Sequence, residues 1–446
     1  MKDFAIRSIH ARRVWDSRGR PTVEAEVVLG DSAMGRAIAP AGASKGSREA
    51  LELRDGGTVF GGLDVMQAVG HVNGEIALAL LGTPADDQRA LDDVLIALDG
   101  SDNKSRLGAN ATLAVSMAAA HAMAAASGMP LYRYLGQGQI GRLPMPQIQI
   151  FGGGAHAGRR VDVQDFMVVC PGAHSFAQAL EWTAEVYRHA GLLMAHRGSL
   201  HGVADEGGWW PDFSSNEQAL ETLVLSIERA GFIPGAQVAI ALDIAASEFG
   251  KAGHYRLGLE SREMDSDALI DMLLGWIDRY PIVSIEDPLA EDDSQGFARF
   301  TQAAGHRLQI VGDDYLVSSA ALISQAAALG AANTVLLKPN QRGTLSETLD
   351  AWFAAKELGY SAIVSARSGE TEDSTIVDLA IGWNVGQLKV GSFARGERMV
   401  KWNHALRIEE QLGAQARFAG ASVFRKDAAA MRQSAARSRG QGAPFA

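Results

Sequence analysis

Val238-Ala-Ile-Ala-Leu-Asp243, Ile282-Val-Ser-Ile-Glu286 and Leu308-Gln-Ile-Val-Gly-Asp313 are short apolar runs that each stop on a carboxylate. Thr334-Val-Leu-Leu-Lys338, Ser361-Ala-Ile-Val-Ser365 and Gln387-Leu-Lys389 continue the pattern with lysines and a serine. Helical periodicity lies between them, over 268–280, 320–329, 345–358 and 374–383. After one longer interval, the polar ends recur roughly every 25 residues, a natural length for a strand and a returning helix. Continuous apolar strands alternating with helices imply a parallel sheet covered on both faces. So many units in series favour a (β/α)8-type barrel over an open sheet. The C-terminal strand ends of such a barrel share one mouth, so Asp243, Glu286, Asp313, Lys338 and Lys389 are expected to meet there.

Working outward, residues 1–140 are expected to form a separate α+β domain. Thr22-Val-Glu-Ala-Glu-Val-Val28 alternates as a half-exposed strand after a turn signal at Asp16-Ser-Arg-Gly19. Residues 41–48 form a small-residue loop without periodicity, suited to touching a ligand. Helical patterns follow to about residue 136. The alanine-rich run 109–126 reads as a buried helix rather than a membrane span. Residues 141–426 are expected to be the barrel and 427–446 a basic, disordered tail.

Composition narrows the function. The chain has 446 residues, 47% of them hydrophobic and 21% charged, which suits a folded enzyme-sized protein. A net charge of −11 argues against nucleic acid and anionic membranes as partners. The single cysteine, Cys170, excludes an internal disulfide and fits a reducing cytoplasm, and no secretory signal is read at the start.

Three carboxylates at one mouth repel one another unless a cation lies among them. All-oxygen ligation suits Mg²⁺, and without accompanying His- or Cys-rich spacing zinc is disfavoured. Lys338 and Lys389 would face that site with lowered pKa values, as candidate bases. Arg367 and Ser368 follow the Ser365 strand end and suit a phosphate.

These residues carry a resemblance to the enolase family over roughly 4–425. The matching motifs include Asp16-Ser-Arg-Gly19, Gly42-Ala-Ser44, Ala50-Leu-Glu-Leu-Arg-Asp-Gly56, Leu107-Gly-Ala-Asn110 and Asp205-Glu-Gly-Gly208. Ser284-Ile-Glu-Asp-Pro288, Gly312-Asp-Asp314, Ser368-Gly-Glu-Thr-Glu-Asp373 and Arg407-Ile-Glu-Glu410 extend the set. The resemblance implies an enolase-type (β/α)8 barrel with an N-terminal α+β cap, two Mg²⁺ ions and a phosphorylated three-carbon acid as substrate. Asp243, Glu286 and Asp313 match the ligands of the first ion, and Ser44 matches a ligand of the second. Lys338 matches the base that takes the C2 proton of 2-phosphoglycerate. Glu206 matches the acid that assists loss of the C3 hydroxyl, with Asp165 where a supporting acid stands. Lys389 matches the carboxylate contact, Arg367 and Ser368 the phosphate contacts, and His156 and Gln164 other site positions. A homo-oligomer, a dimer or an assembly of dimers, is implied as well.

The chain also departs from the family pattern. Ser365-Ala-Arg-Ser-Gly369 lacks a histidine at position 366, and Asp165 is one methylene shorter than the usual glutamate. Lys45, Arg159 and Arg342 add positive charge to the surrounding loops, and Pro339 follows the candidate base. Two catalytic readings therefore stand: dehydration of 2-phosphoglycerate to phosphoenolpyruvate, or a carboxyphosphonoenolpyruvate synthase-like reaction in phosphonate biosynthesis on an altered anion. A non-catalytic binding role on the same frame is disfavoured by the intact acids and lysines.

Overall fold

The computed structural model describes residues 4–43 and 45–424. The expectations for Ser44 and for the basic tail at 427–446 lie outside the described residues.

The chain begins with an antiparallel sheet of β1 (Ile6–Trp15), β2 (Pro21–Leu29) and β3 (Met34–Ile38). The β1–β2 turn is built by Asp16, whose Oδ1 accepts the N–H groups of Arg18 at 2.9 Å and Arg20 at 2.8 Å. Gly19 supplies the positive φ of 67°. Helices α1 (Met66–His71), α2 (Ala77–Leu80), α3 (Gln88–Asp99), α4 (Ala109–Ser127) and α5 (Leu131–Leu135) follow. Although α4 is long and apolar enough to cross a membrane, 89% of that stretch is buried inside the protein. Its alanines let the backbone approach the sheet closely. A Cβ added at Gly35 would lie 2.1 Å from both the Ala118 carbonyl oxygen and the Ala122 nitrogen. Gly35→Ala is therefore expected to destabilise the protein by about 3 kcal/mol, seen as a lower urea midpoint of unfolding.

The second part is a closed barrel of eight strands. In spatial order they are β4 (Met145–Gly152), β5 (Asp165–Val169), β6 (Ala239–Asp243), β10 (Ile282–Glu286), β11 (Gln309–Gly312), β12 (Thr334–Leu337), β13 (Ser361–Ser365) and β14 (Gln387–Ser392). The longer interval between Asp243 and Glu286 holds a small antiparallel sheet, β7 (Gly250–Lys251), β8 (His254–Leu257) and β9 (Arg262–Asp265). Helices α6 (Phe176–His196), α7 (Asn216–Arg229), α8 (Ser266–Arg279), α9 (Ser294–Ala304), α10 (Ala320–Leu329), α11 (Leu345–Glu357), α12 (Thr375–Gly382) and α13 (Gly396–Leu412) complete this part. Ser175, Ser215, Asp265, Asp293, Ser319 and Thr344 each accept a first-turn N–H and so fix where six helices begin. The Asp265 cap explains why α8 starts two residues before the apolar periodicity does.

One expectation needs correction. The sheet is not wholly parallel, because β5 pairs antiparallel with both β4 and β6. The link from β4 to β5 holds only a 3-10 turn at 154–157 and no crossover helix, and the chain turns back as a hairpin. Asp165, the first residue of β5, therefore lies at the mouth, in register with Gly152 on one side and Asp243 on the other.

Candidate active site

Neighbouring strand ends place the acids. Asp243 ends β6, Glu286 ends β10 and Asp313 directly follows β11, and all three are buried. Lys338 directly follows β12, while Lys389 lies within β14. Arg367 and Ser368 come two and three residues after β13 ends. His156 sits in a short 3-10 turn at 154–157, just beyond β4, and Glu206 lies in the connection between α6 and α7. One cavity of about 20 Å³ is lined by His156, Gln164, Asp165, Glu206, Asp243, Lys338, Arg367, Ser368 and Lys389. Ala366 and Ala43, the neighbour of Ser44, also line it.

The cations and anions are interleaved. Lys389 Nζ lies 2.8 Å from Asp243 Oδ2, 2.8 Å from Glu286 Oε2 and 3.2 Å from Asp165 Oδ2. Lys338 Nζ donates to Asp313 Oδ2, whose other oxygen accepts from Gln341 Nε2 at 2.8 Å. Gln164 Nε2 donates to Asp243 Oδ2 at 3.0 Å. Arg367 makes a two-pronged contact with Glu49, at 3.0 Å and 3.3 Å, and donates to Asn340 Oδ1 at 2.9 Å. His156 Nε2 is 3.7 Å from Glu206 Oε1.

These pairings correct the expectation of lowered lysine pKa values. Burial is the strongest single influence on Lys338 and would depress it, but the Asp313 and Glu286 carboxylates together hold the ammonium above its ordinary range. Lys389 is pushed well above its ordinary value, because Asp243, Glu286 and Asp165 together outweigh its burial. Burial and then the charge of Asp243 push the Glu286 carboxyl well above the usual carboxylate range. Asp313 stays below that range despite burial, since Lys338 and Arg367 favour its charged form.

Two groups among the described residues bring three potential ligand atoms within 4.8 Å of one another. They are His156 with Asp165 and Glu206, and Asp287 with Asp313 and Asp314. The expected set of Asp243, Glu286 and Asp313 is not one of them, since lysine ammonium groups sit against all three carboxylates. Glu286 Oε1 is nevertheless buried without a hydrogen-bond partner. That orphaned oxygen, among hard oxygen donors, fits a divalent cation as a further partner.

The positively charged departures do not reach the cavity. Lys45 Nζ is bound by Glu52 at 2.6 Å, Arg159 by Glu248 at 2.8 Å and Arg342 by Glu347 at 3.6 Å. None of the three lines it. Each added charge faces a local glutamate, so these arginines and the lysine give no support to a larger anionic substrate.

Several supporting residues escaped the sequence reading. Gln149 donates to Asp165 Oδ1 and accepts the Gly208 N–H at 2.9 Å, tying Asp165 to the segment that carries Glu206. Arg398 is fully buried and donates to the carbonyls of Arg367 at 2.6 Å, Val390 at 2.9 Å and Ser368. Arg18 of the first hairpin donates to Ser368 Oγ at 3.1 Å, which brings the first sheet to the barrel mouth. The Asp16-Ser-Arg-Gly19 motif was visible in the sequence, but its contact with residue 368 was not.

Comparison with known proteins places both parts of the chain in one family. Residues 6–135 match the family described as enolase, N-terminal domain, and residues 141–427 match enolase, C-terminal TIM barrel domain. The chain belongs to the enolase family. Proteins named enolase from Tropheryma whipplei strains Twist and TW08/27 are each 51% identical over 417 residues. The alignments cover 93% of this chain and 97% of each relative. Enolase-family membership thus rests on both parts of the chain, the small sheet-and-helix part as well as the barrel.

Proposed function

We propose that the protein is an enolase-type carbon–oxygen lyase that removes water from 2-phosphoglycerate to give phosphoenolpyruvate. The observation carrying this reading is the single cavity that gathers Lys338, Glu206, Lys389, Arg367 and Ser368. Identity of 51% to proteins named enolase supports the same reaction. The phosphonate-pathway alternative is not favoured, since the extra loop charges that suggested it are paired locally.

In this reading Arg367 and Ser368 hold the phosphoryl group and Lys389 faces the substrate carboxylate. Lys338 Nζ takes the C2 proton in its neutral form, which a cation held by Asp313 would favour by drawing that carboxylate away from the ammonium. The electron pair left at C2 forms the C2–C3 double bond as the C3–O bond breaks. Glu206 gives a proton to the departing hydroxyl, which leaves as water. His156 adjoins Glu206, and Gln164 orients Asp243. Asp165 keeps the segment bearing Glu206 in place through Gln149. Asp243, Glu286 and Asp313 would hold Mg²⁺, with Ser44 proposed for a second ion. The metal supplies charge stabilisation for the substrate carboxylate as C2 becomes electron-rich. The single cysteine supports a reducing, cytoplasmic setting, and family resemblance supports a homo-oligomer, a dimer or assembly of dimers.

The test is direct. Purified protein with Mg²⁺ and 2-phosphoglycerate should produce the ultraviolet absorbance of the enol, lose it on chelation, and recover it when Mg²⁺ is restored. Mg²⁺ binding without any turnover of 2-phosphoglycerate would overturn the assignment.

A further inference from the structure

The Arg367 guanidinium is buried at the mouth and already carries an anion of its own. Glu49 faces it with both carboxylate oxygens, at 3.0 Å and 3.3 Å. The side chains are only 6% and 3% exposed for Glu49 and Arg367, so water does little to weaken the pair. Glu49 is itself held: its Oε1 accepts from Gly46 N–H at 3.1 Å and Gln341 Nε2 at 3.3 Å. Neighbouring residues are tied to the barrel through Ser47 N–H on Glu291 Oε2, at 3.0 Å, and Arg48 Nη2 on the Tyr315 carbonyl, at 2.8 Å.

We propose that Glu49 is the resident anion of the phosphoryl subsite: its carboxylate competes with the substrate phosphoryl group for Arg367 and sets the affinity of that subsite. This inference rests on the reading that Arg367 receives the phosphoryl group. Two anions cannot share the guanidinium in this buried setting without mutual repulsion. A phosphoryl dianion brings more charge and three acceptor oxygens, so it can displace the carboxylate. A singly charged, non-phosphorylated acid gains too little to do so. Glu49 thereby lowers the affinity of the subsite for every anion by a common factor, which a phosphoryl dianion can bear and a weak anion cannot. Glu49 acts through Arg367 and is not itself placed against the reacting carbons.

Inorganic phosphate is the probe, titrated calorimetrically into the full chain at saturating Mg²⁺. Glu49→Gln keeps the shape and removes the charge. It should bind phosphate about tenfold more tightly than the parent. Its KM for 2-phosphoglycerate should fall without a rise in kcat. Glu49→Asp, which keeps the charge, should leave phosphate affinity near the parent value. Unchanged or weaker phosphate binding by Glu49→Gln would overturn the proposal and make Glu49 a brace for Arg367. Arg367→Met separates the underlying reading: undiminished phosphate binding in that variant removes Arg367 from the subsite, whatever Glu49→Gln does.

Discussion

Replacing Lys338 with alanine is expected to lower kcat for 2-phosphoglycerate by roughly 10⁴-fold, the upper range for loss of a positioned base. KM should change little, because Arg367, Ser368 and Lys389 stay in place to bind the substrate. The substitution also leaves Asp313 Oδ2 without its ammonium, while Oδ1 keeps Gln341 at 2.8 Å. Some loss of stability should therefore accompany the kinetic effect in metal-free protein and shrink when Mg²⁺ is supplied. Turnover and melting temperature measured with and without Mg²⁺ separate the two effects. Residual turnover within tenfold of the parent would remove Lys338 from the role of base.

Lys389→Met is expected to have the largest effect on stability. One ammonium group serves Asp243, Glu286 and Asp165, and all of these side chains are buried. Methionine keeps the apolar stem and removes the charge, leaving three carboxylates facing one another. Breaking a buried ion pair on one side typically costs about 3–5 kcal/mol. Here three partners lose the same cation. The metal-free variant should unfold at markedly lower denaturant than the parent. Mg²⁺ should stabilise the variant more than it stabilises the parent, since it restores positive charge where the ammonium was. Equal Mg²⁺ stabilisation of both proteins would mean that the metal does not bind among these acids.

Much of the barrel was legible because strands covered on both faces have no polar side to interrupt them. The runs at 238–243, 282–286, 308–313, 334–338, 361–365 and 387–389 all became barrel strands with their polar ends at the mouth. The other two strands were hidden for physical reasons. β4 carries Gln147 and Gln149, both buried in the barrel interior, so its apolar run is broken. Gln147 donates to Gln387 Oε1 at 3.2 Å, and a polar pair of that kind leaves no periodic signal. β5 is short and opens on a carboxylate. In the first sheet, β3 contains Gly35 and Arg36, and its glycine is required by the approach of α4 rather than by a turn.

The site was legible where a residue type sits at a strand end, and illegible where its meaning depends on a partner far along the chain. Lys389 could be expected at the mouth, but that it would touch acids from three different strands could not. The same distance hid Glu49, which meets Arg367 only because the segment after the first sheet folds over the barrel. Lys338 shows the same limit: burial that lowers it could be expected, whereas the combined pull of Asp313 and Glu286 that raises it depends on the fold.

The reversed strand β5 also divides the labour of the molecule. Because β5 runs away from the mouth, α6 begins at the far end of the barrel and returns toward it. One sector therefore sends two connections to the mouth, 153–164 with His156 and 197–215 with Glu206. The lysines come instead from β12 and β14, on another arc of the wall. In the proposed reading, proton removal and hydroxyl departure are thus encoded in separate stretches of chain, joined where Asp165 meets Lys389 and where the Ser392 N–H donates to the Glu206 carbonyl at 2.9 Å. A change in the hairpin sector would be felt first by the groups proposed for hydroxyl departure and would reach the lysine wall through these contacts.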